Sequence, residues 1–215
     1  MSNVPKVIHQ IVGPGANEFI MRCVNSWKVL EKFGFEIMIW NDSKIADFLC
    51  NSHRSSYDAF INARNHAEAG DIARYLIVYT FGGYYVDWDI ELLDVDEFYS
   101  LSNKYSDGYM LVDPPNGTLA SEYFCCIKYD PFLMSLSKDI VELYEQGERD
   151  KFSTPQFSGP YRMRDSFAKC PDSSMKAIPV KEVFAYDYSE IRNPPKGDIT
   201  QAMIHYWLHS WLPKN

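Results

Sequence analysis

Residues 70–91, GDIARYLIVYTFGGYYVDWDIE, decide how this chain is read. At their centre lies Asp87-Trp88-Asp89, two carboxylates spaced i, i+2 directly after the apolar run Tyr84-Tyr85-Val86. Residues i and i+2 of an extended strand face one side, so the spacing predicts that both carboxylates converge on one point. Two hard anionic oxygens beside a sheet edge suit Mg²⁺ or Mn²⁺, ions that keep water and bind substrate phosphates. Just upstream, Ile72, Tyr75, Leu76 and Tyr79 fall at i, i+3, i+4 and i+7, and Ile77 and Val78 make the remaining faces apolar. That pattern predicts a buried helix. Gly82-Gly83 supplies the left-handed stop after it, and Tyr84 to Val86 is the strand that delivers the aspartates.

Outward from this stretch the chain alternates strands and helices. Val4 to Val12 is rich in β-branched residues and stops at Gly13-Pro14-Gly15, which predicts a strand and a tight loop. Asn17 to Lys32 has helical period, with Phe19, Ile20, Cys23, Val24, Trp27 and Leu30 on one broad face, and Gly34 ends it. Phe35 to Trp40 is a second strand. Strand, helix, strand is a βαβ unit and implies a parallel sheet. A short helix is expected over about Ser43 to Ser56, and a longer or broken one over Asp58 to Thr80. Strands are expected at Tyr109 to Val112, before a Pro114-Pro115-Asn116-Gly117 turn, and at Tyr123 to Lys128. An amphipathic helix is expected over Phe132 to Gln146, then a strand at Met175 to Val180. No repeat or linker divides the chain, so residues 1–215 are expected to form one domain.

Three groups can do chemistry. The first is the carboxylate pair, although Asp also favours strand-end turns for purely local reasons. The second is Asp71 with Arg74, which at i, i+3 share a helix face. An internal ion pair and a ligand-binding pair are both open here, but desolvation makes a buried charged pair a poor device for stability alone. Asp71 can accept hydrogen bonds from sugar hydroxyls, and Arg74 can hold it or reach a diphosphate. The third is the ending His205-Tyr206-Trp207-Leu208-His209-Ser210-Trp211, which can cap a site and lend a nitrogen ligand. Imidazole sits beside carboxylates in some Mn²⁺ sites. His9, in the first strand, is expected to be a core histidine.

Composition narrows the classes. A net charge of −8 argues against a nucleic-acid partner, which leaves a basic footprint. It does not argue against a nucleotide, because a metal can bring a diphosphate to an acidic site. No run of about 18 apolar residues predicts a membrane span, and Met1-Ser2-Asn3-Val4-Pro5-Lys6 lacks the build of a signal peptide. The cysteines at 23, 50, 125, 126 and 170 contain no Cys-x-x-Cys, so neither a zinc site nor a disulfide framework is indicated. A reducing, cytoplasmic setting is expected.

Residues 4–12, VPKVIHQIV, together with 70–91 resemble glycosyltransferase family 32 and its Asp-x-Asp relatives, among them α-mannosyltransferases, capsular-polysaccharide transferases, glucosylating toxins and small chlorovirus transferases. The family pattern Asp-x-x-Arg-Tyr-x-x-Leu-Tyr-x-x-Gly-Gly-x-Tyr-x-Asp-x-Asp is met from Asp71 to Asp89, with Val78 where Leu is usual. Ser158-Gly159-Pro160 and the ending His205-x-Trp207-x-x-Ser210-Trp211 match as well. The resemblance implies a GT-A fold: α/β, with a Rossmann-like mixed central sheet flanked by helices. It implies that Asp71 and Arg74 grip the donor sugar and that Tyr85 and Asp87 lie along ribose and diphosphate. Asp89 would ligate Mn²⁺ (or Mg²⁺) directly and Asp87 directly or through water. His205, with His209 or Ser210 as alternatives, would complete the shell. Trp211 and Ser210 would approach the diphosphate, and Ile11, Val12 and Gly13 would border the base. Where relatives carry Trp this chain has Val12. Where they carry Asn it has Ser121-Glu122, so Glu122 is expected to contact sugar or acceptor.

The resemblance therefore implies a retaining, Mn²⁺-dependent transferase that moves a hexose-type sugar from a nucleotide-sugar donor, UDP-sugar favoured, to a glycan or glycoprotein hydroxyl. It would work in a bacterial or virus-infected cytoplasm. Two other readings stand beside it. One is an Asp-x-Asp phosphohydrolase, disfavoured because the pair comes after the third strand. The other is a nucleotide-sugar or glycan-binding module without turnover.

Overall fold

The computed structural model describes residues 2–113 and 117–208. The expected Pro114-Pro115-Asn116 turn and the candidate site residues His209, Ser210 and Trp211 lie outside the described residues. Strand β1 (Val7–Ile11) leads to helix α1 (Glu18–Ser26), a 3₁₀ segment (Trp27–Phe33) and β2 (Glu36–Trp40). Then come α2 (Asp42–Ser52), α3 (Arg54–Ile61), α4 (His66–Phe81), β3 (Gly83–Val86), β4 (Ile90–Leu92) and α5 (Val95–Lys104). The remainder is β5 (Gly108–Asp113), β6 (Thr118–Cys126), α6 (Pro131–Glu145), α7 (Thr154–Phe157), α8 (Pro160–Phe167), β7 (Lys176–Pro179) and β8 (Met203–His205).

Six strands form one sheet in the order β2-β1-β3-β6-β5-β7. β1 pairs parallel with both β2 and β3, as the βαβ reading requires, while β6 runs antiparallel to β3 and to β5. The sheet is therefore mixed. Side chains alternate across it with period two. Tyr85, Met110, Phe124 and Cys126 enter the core under α4 and α6. Tyr84, Tyr109, Tyr123 and Cys125 enter a second core with Trp27, Phe98 and Phe184. Both faces are thus covered, which is why these strands read as continuous apolar runs rather than alternating ones.

Helix α4 starts at Asn65, whose side chain accepts the Glu68 N–H at 2.9 Å. It is buried from Gly70 to Val78, matching its apolar circumference. At its end Gly82 turns with φ +64°, and Gly83 comes next with φ +100°, where an added Cβ would stand 2.4 Å from the Val7 carbonyl oxygen. Only glycine tolerates both that torsion and that approach to β1. His9 is a core histidine. Its Nε2–H donates to the Gly82 carbonyl at 2.9 Å and its Nδ1 accepts from the Trp40 indole at 3.2 Å. Burial lowers its pKa to about 4, so it stays neutral and ties β2 and β1 to the end of α4.

Several expected boundaries shift. The helix expected over Asn17 to Lys32 changes to 3₁₀ at Trp27, and Asn17 is its cap, accepting the Ile20 N–H at 2.9 Å. The break in the long helical stretch falls at Asn62–Asn65, and α3 begins at Arg54 rather than Asp58. Strand β6 begins at Thr118, well before Tyr123. Helices α5, α7 and α8 and strands β4 and β8 have no counterpart among the expected elements. The last two matter most. They pair antiparallel, Ile90 opposite His205, and so carry the chain's far end back to the Asp-x-Asp segment.

Candidate active site

Asp87 and Asp89 converge, but not by the strand alternation that their spacing suggests. β3 ends at Val86, and Asp87 to Ile90 is a turn in which the Ile90 N–H donates to the Asp87 carbonyl at 3.1 Å. A four-residue turn brings the carboxylates together. The turn is anchored by the sheet, because the Asp87 N–H donates to the Glu122 carbonyl on β6 at 2.9 Å.

The two aspartates differ in setting. Asp87 keeps 25% of its side chain exposed; Asp89 keeps 7%. The Tyr85 hydroxyl donates to Asp87 Oδ1 at 2.6 Å, and Arg74 Nη1 lies 3.4 Å from the same oxygen. Burial and the neighbouring Asp89 nonetheless raise the Asp87 pKa, against the pull of Arg74. Asp89 Oδ2 accepts the Leu208 N–H at 2.9 Å, and Oδ1 lies 3.4 Å from His205 Nε2. Burial works against its charge, but the imidazole and these hydrogen bonds overcome it and hold Asp89 below the usual carboxylate range. The same contacts raise His205, which burial alone would lower.

Arg74 joins the carboxylate turn to helix α4. It donates to the carbonyls of Ser121 (2.7 Å) and Gly70 (3.2 Å), lies over the Tyr85 ring at 4.6 Å, and stands 3.6 Å from Asp71 Oδ1. Asp71 accepts the Ser158 hydroxyl at 2.8 Å on its other oxygen. Burial pushes its pKa up to about 6 even against Arg74. Ser158 is a partner to which the sequence assigns no role beyond the Ser158-Gly159-Pro160 match. It is placed by the Tyr75 hydroxyl, which donates to its carbonyl at 2.8 Å. Upstream, Asn65 donates to the Thr154 hydroxyl at 2.9 Å.

The expected base-side residues stand apart from this cluster but on the same sheet edge. β1, β2 and β3 are parallel, so Ile11, Trp40 and Val86 end at one edge, the edge where open α/β sheets bind ligands. There Val12, Gly13, Pro14, Asn41, Asp42 and Ser43 line an open hollow of about 410 Å³. Trp88 closes on it: a Cβ at Gly13 would be 3.5 Å from the Trp88 ring. Tyr85 is buried and reaches the site through Asp87. Glu122 turns its carboxylate toward His205, 3.6 Å from Nδ1.

One ligand atom each from Asp87, Asp89 and His205 lies within 4.8 Å of the others. Around an octahedral ion with bonds of about 2.1 Å, neighbouring ligands stand about 3 Å apart. A small contraction of this trio therefore accommodates a divalent cation; two carboxylates with one imidazole suit Mn²⁺, and the carboxylates alone suit Mg²⁺, with open positions for phosphate oxygens.

Residues 17–103 match the family described as the glycosyltransferase sugar-binding region containing a DXD motif. Glu122, Ser158 and His205 lie outside the matched stretch. A 93-residue stretch is 31% identical to inositol phosphoceramide mannosyltransferase 1 of Schizosaccharomyces pombe, covering 42% of this chain and 29% of that protein. A 92-residue stretch is 30% identical to an uncharacterised glycosyltransferase of Acanthamoeba polyphaga mimivirus, covering 40% of this chain and 36% of that one. The matches thus span about a third of the length of these curated relatives. Among solved structures, the PaToxG glycosyltransferase superposes with TM-score 0.57 at 19% identity over 78% of this chain and 70% of its own. A glycosyltransferase involved in glycosylation of the major capsid of PBCV-1 superposes with TM-score 0.50 at 10% identity over 82% of each. The fold is the GT-A glycosyltransferase fold. No helix of the described residues is long and apolar enough to cross a membrane.

Proposed function

We propose that the protein is a Mn²⁺-dependent, retaining glycosyltransferase that moves a hexose-type sugar from a UDP-sugar to a glycan or glycoprotein hydroxyl. The observation that carries this reading is the convergence of Asp87, Asp89 and His205 beside the Asp71–Arg74 pair, at the sheet edge that also bears the Val12–Ser43 hollow. Asp87, Asp89 and His205 hold the cation, which supplies Lewis-acid stabilisation of the departing diphosphate. Asp71, fixed by Ser158 and Arg74, accepts hydrogen bonds from donor-sugar hydroxyls. Arg74 is locked by two carbonyls and a tyrosine ring, so its charge needs no reorganisation when charge develops nearby. The hollow takes the base. Retention with same-face attack fits a site in which each nearby carboxylate already has a partner: Asp71 with Ser158, Asp87 with Tyr85, Asp89 with Leu208 and Glu122 beside His205.

The engagement of Asp87 also weighs against a phosphohydrolase, whose first aspartate must be free to attack phosphorus. Titration of UDP, GDP and CMP with and without Mn²⁺, then slow hydrolysis of a UDP-sugar panel, tests the reading. We expect UDP to bind tightly only with Mn²⁺ and Asp89→Asn to lose that metal dependence. Equal binding with and without metal would sink the assignment of the carboxylates.

A further inference from the structure

His205 presents its two ring nitrogens to two different carboxylates. Nε2 faces Asp89 Oδ1 at 3.4 Å, and Nδ1 faces Glu122 Oε1 at 3.6 Å. Nδ1 is fully buried and has no hydrogen-bond partner. A buried polar atom left in that state is costly, and the acceptor nearest to satisfying it is the Glu122 carboxylate. The ring is packed in place by Trp207 at 4.2 Å and Phe184 at 5.5 Å. Glu122 is presented by a strand rather than a loop. Its carbonyl takes the Asp87 N–H, and the preceding carbonyl, that of Ser121, takes Arg74. The backbone that carries Glu122 is thus the one that anchors the Asp-x-Asp turn.

We propose that Glu122 is a positioning residue for the cation site: it accepts Nδ1–H of His205 and so makes Nε2, the nitrogen that faces Asp89, the one that gives up its proton and offers a lone pair when a cation binds. An imidazole ligates only through a nitrogen without a proton, and the hydrogen bond on the other nitrogen decides which one that is. A charge-assisted N–H···O bond is about 2.8 Å long, so a small shift of the Glu122 carboxylate closes the 3.6 Å separation from Nδ1. The inference rests on the cation reading above and adds a residue to it that lies outside the family-matched stretch. It also gives the Glu in place of the relatives' Asn a task that does not involve sugar.

The test is calorimetric titration of Mn²⁺ into the full chain without nucleotide, using the parent, Glu122→Ala, Glu122→Gln, His205→Ala and the Glu122→Ala/His205→Ala pair. Glu122→Ala should weaken Mn²⁺ binding by about 10–100-fold. Glu122→Gln, whose amide oxygen still accepts, should recover most of it. In the His205→Ala background, Glu122→Ala should cost less than about twofold more, because the two act as one unit. Thermal midpoints in chelator check that each variant folds, and Glu122→Ser serves if Glu122→Ala does not. Binding by Glu122→Ala within about twofold of the parent overturns the proposal. So does a full loss that persists without His205, which would make Glu122 a ligand in its own right. A parent that binds no Mn²⁺ overturns the cation reading itself, an outcome distinct from either.

Discussion

Replacing Arg74 by methionine keeps the apolar stem of the side chain and removes its charge and all its N–H donors. Arg74 stands 3.4 Å from Asp87 and 3.6 Å from Asp71, and it satisfies the Ser121 and Gly70 carbonyls. Breaking a buried ion pair by deleting one partner costs about 3–5 kcal/mol. For a chain of this length that lowers the thermal midpoint by roughly 10 °C. The loss should depend on pH. The Asp71 pKa already sits at about 6 because of burial, with Arg74 the main influence holding it down. Without Arg74 it rises further. A carboxyl whose folded pKa lies above its unfolded value binds more protons when folded, so the protein gains stability as pH falls through that raised value toward about 4. Urea unfolding of Arg74→Met should therefore show its largest deficit near pH 8 and a smaller one near pH 5. A deficit below about 1 kcal/mol at pH 8, or one equal at both pH values, would refute the account of Arg74 as the charge that keeps two aspartates ionised.

Gly83→Ala should cost more than about 2 kcal/mol, since its Cβ would press on the Val7 carbonyl at φ +100°. Gly15→Ala, with open space around it, should be near neutral in the same denaturation assay. Ser158→Ala removes the hydroxyl that Asp71 accepts at 2.8 Å and should cost about 1.5–3 kcal/mol at neutral pH, with the Asp71 titration moving higher. Because Asp89, Glu122 and Asp87 raise the His205 pKa, a cation must displace a proton from its ring. Mn²⁺ affinity should therefore climb with pH through a value above the usual histidine one. A Mn²⁺ affinity that stays flat from about pH 6 to about pH 8 counts against His205 as a ligand, since a ligating imidazole must lose its proton.

The parallel strands β1, β2 and β3 are legible in the sequence because each is a β-branched or aromatic run with a glycine or Asn-Asp stop at one end. Residues 70–81 announce a buried helix because no face of it is polar beyond Asp71 and Arg74. Other features are hidden for physical reasons. β4 and β8 are three residues each, too short for a period, and they exist only as each other's partner. α7 and α8 carry their signal in Pro155 and Pro160 at the first turn, a helix-start preference that reads equally as loop. α5 does carry a readable signal: Asp94 caps the Glu97 N–H at 2.9 Å and opens a run with Phe98 and Leu101. The meeting of Asp87 and Asp89 is legible but its geometry is not, since a strand and a turn both satisfy the spacing. For His205 and the Asp71–Arg74 pair, residue chemistry leaves a structural and a ligand-binding role open, and the family resemblance tips it toward the second. Their packing partners, Glu122 and Ser158, lie far away along the chain, where no local pattern marks the contact.

The β4–β8 ladder ties the proposed cation site to a distant part of the chain. Asp87 and Asp89 leave the ribosome long before His205. Until Met203–His205 docks on Ile90–Leu92, the pair lacks both the imidazole and the Leu208 N–H that settles Asp89. On the cation reading proposed above, tight metal capture waits for that docking, and a fragment of residues 17–103 would carry the Asp-x-Asp motif without His205, without the Leu208 N–H and without β1 and β6, the strands that flank β3.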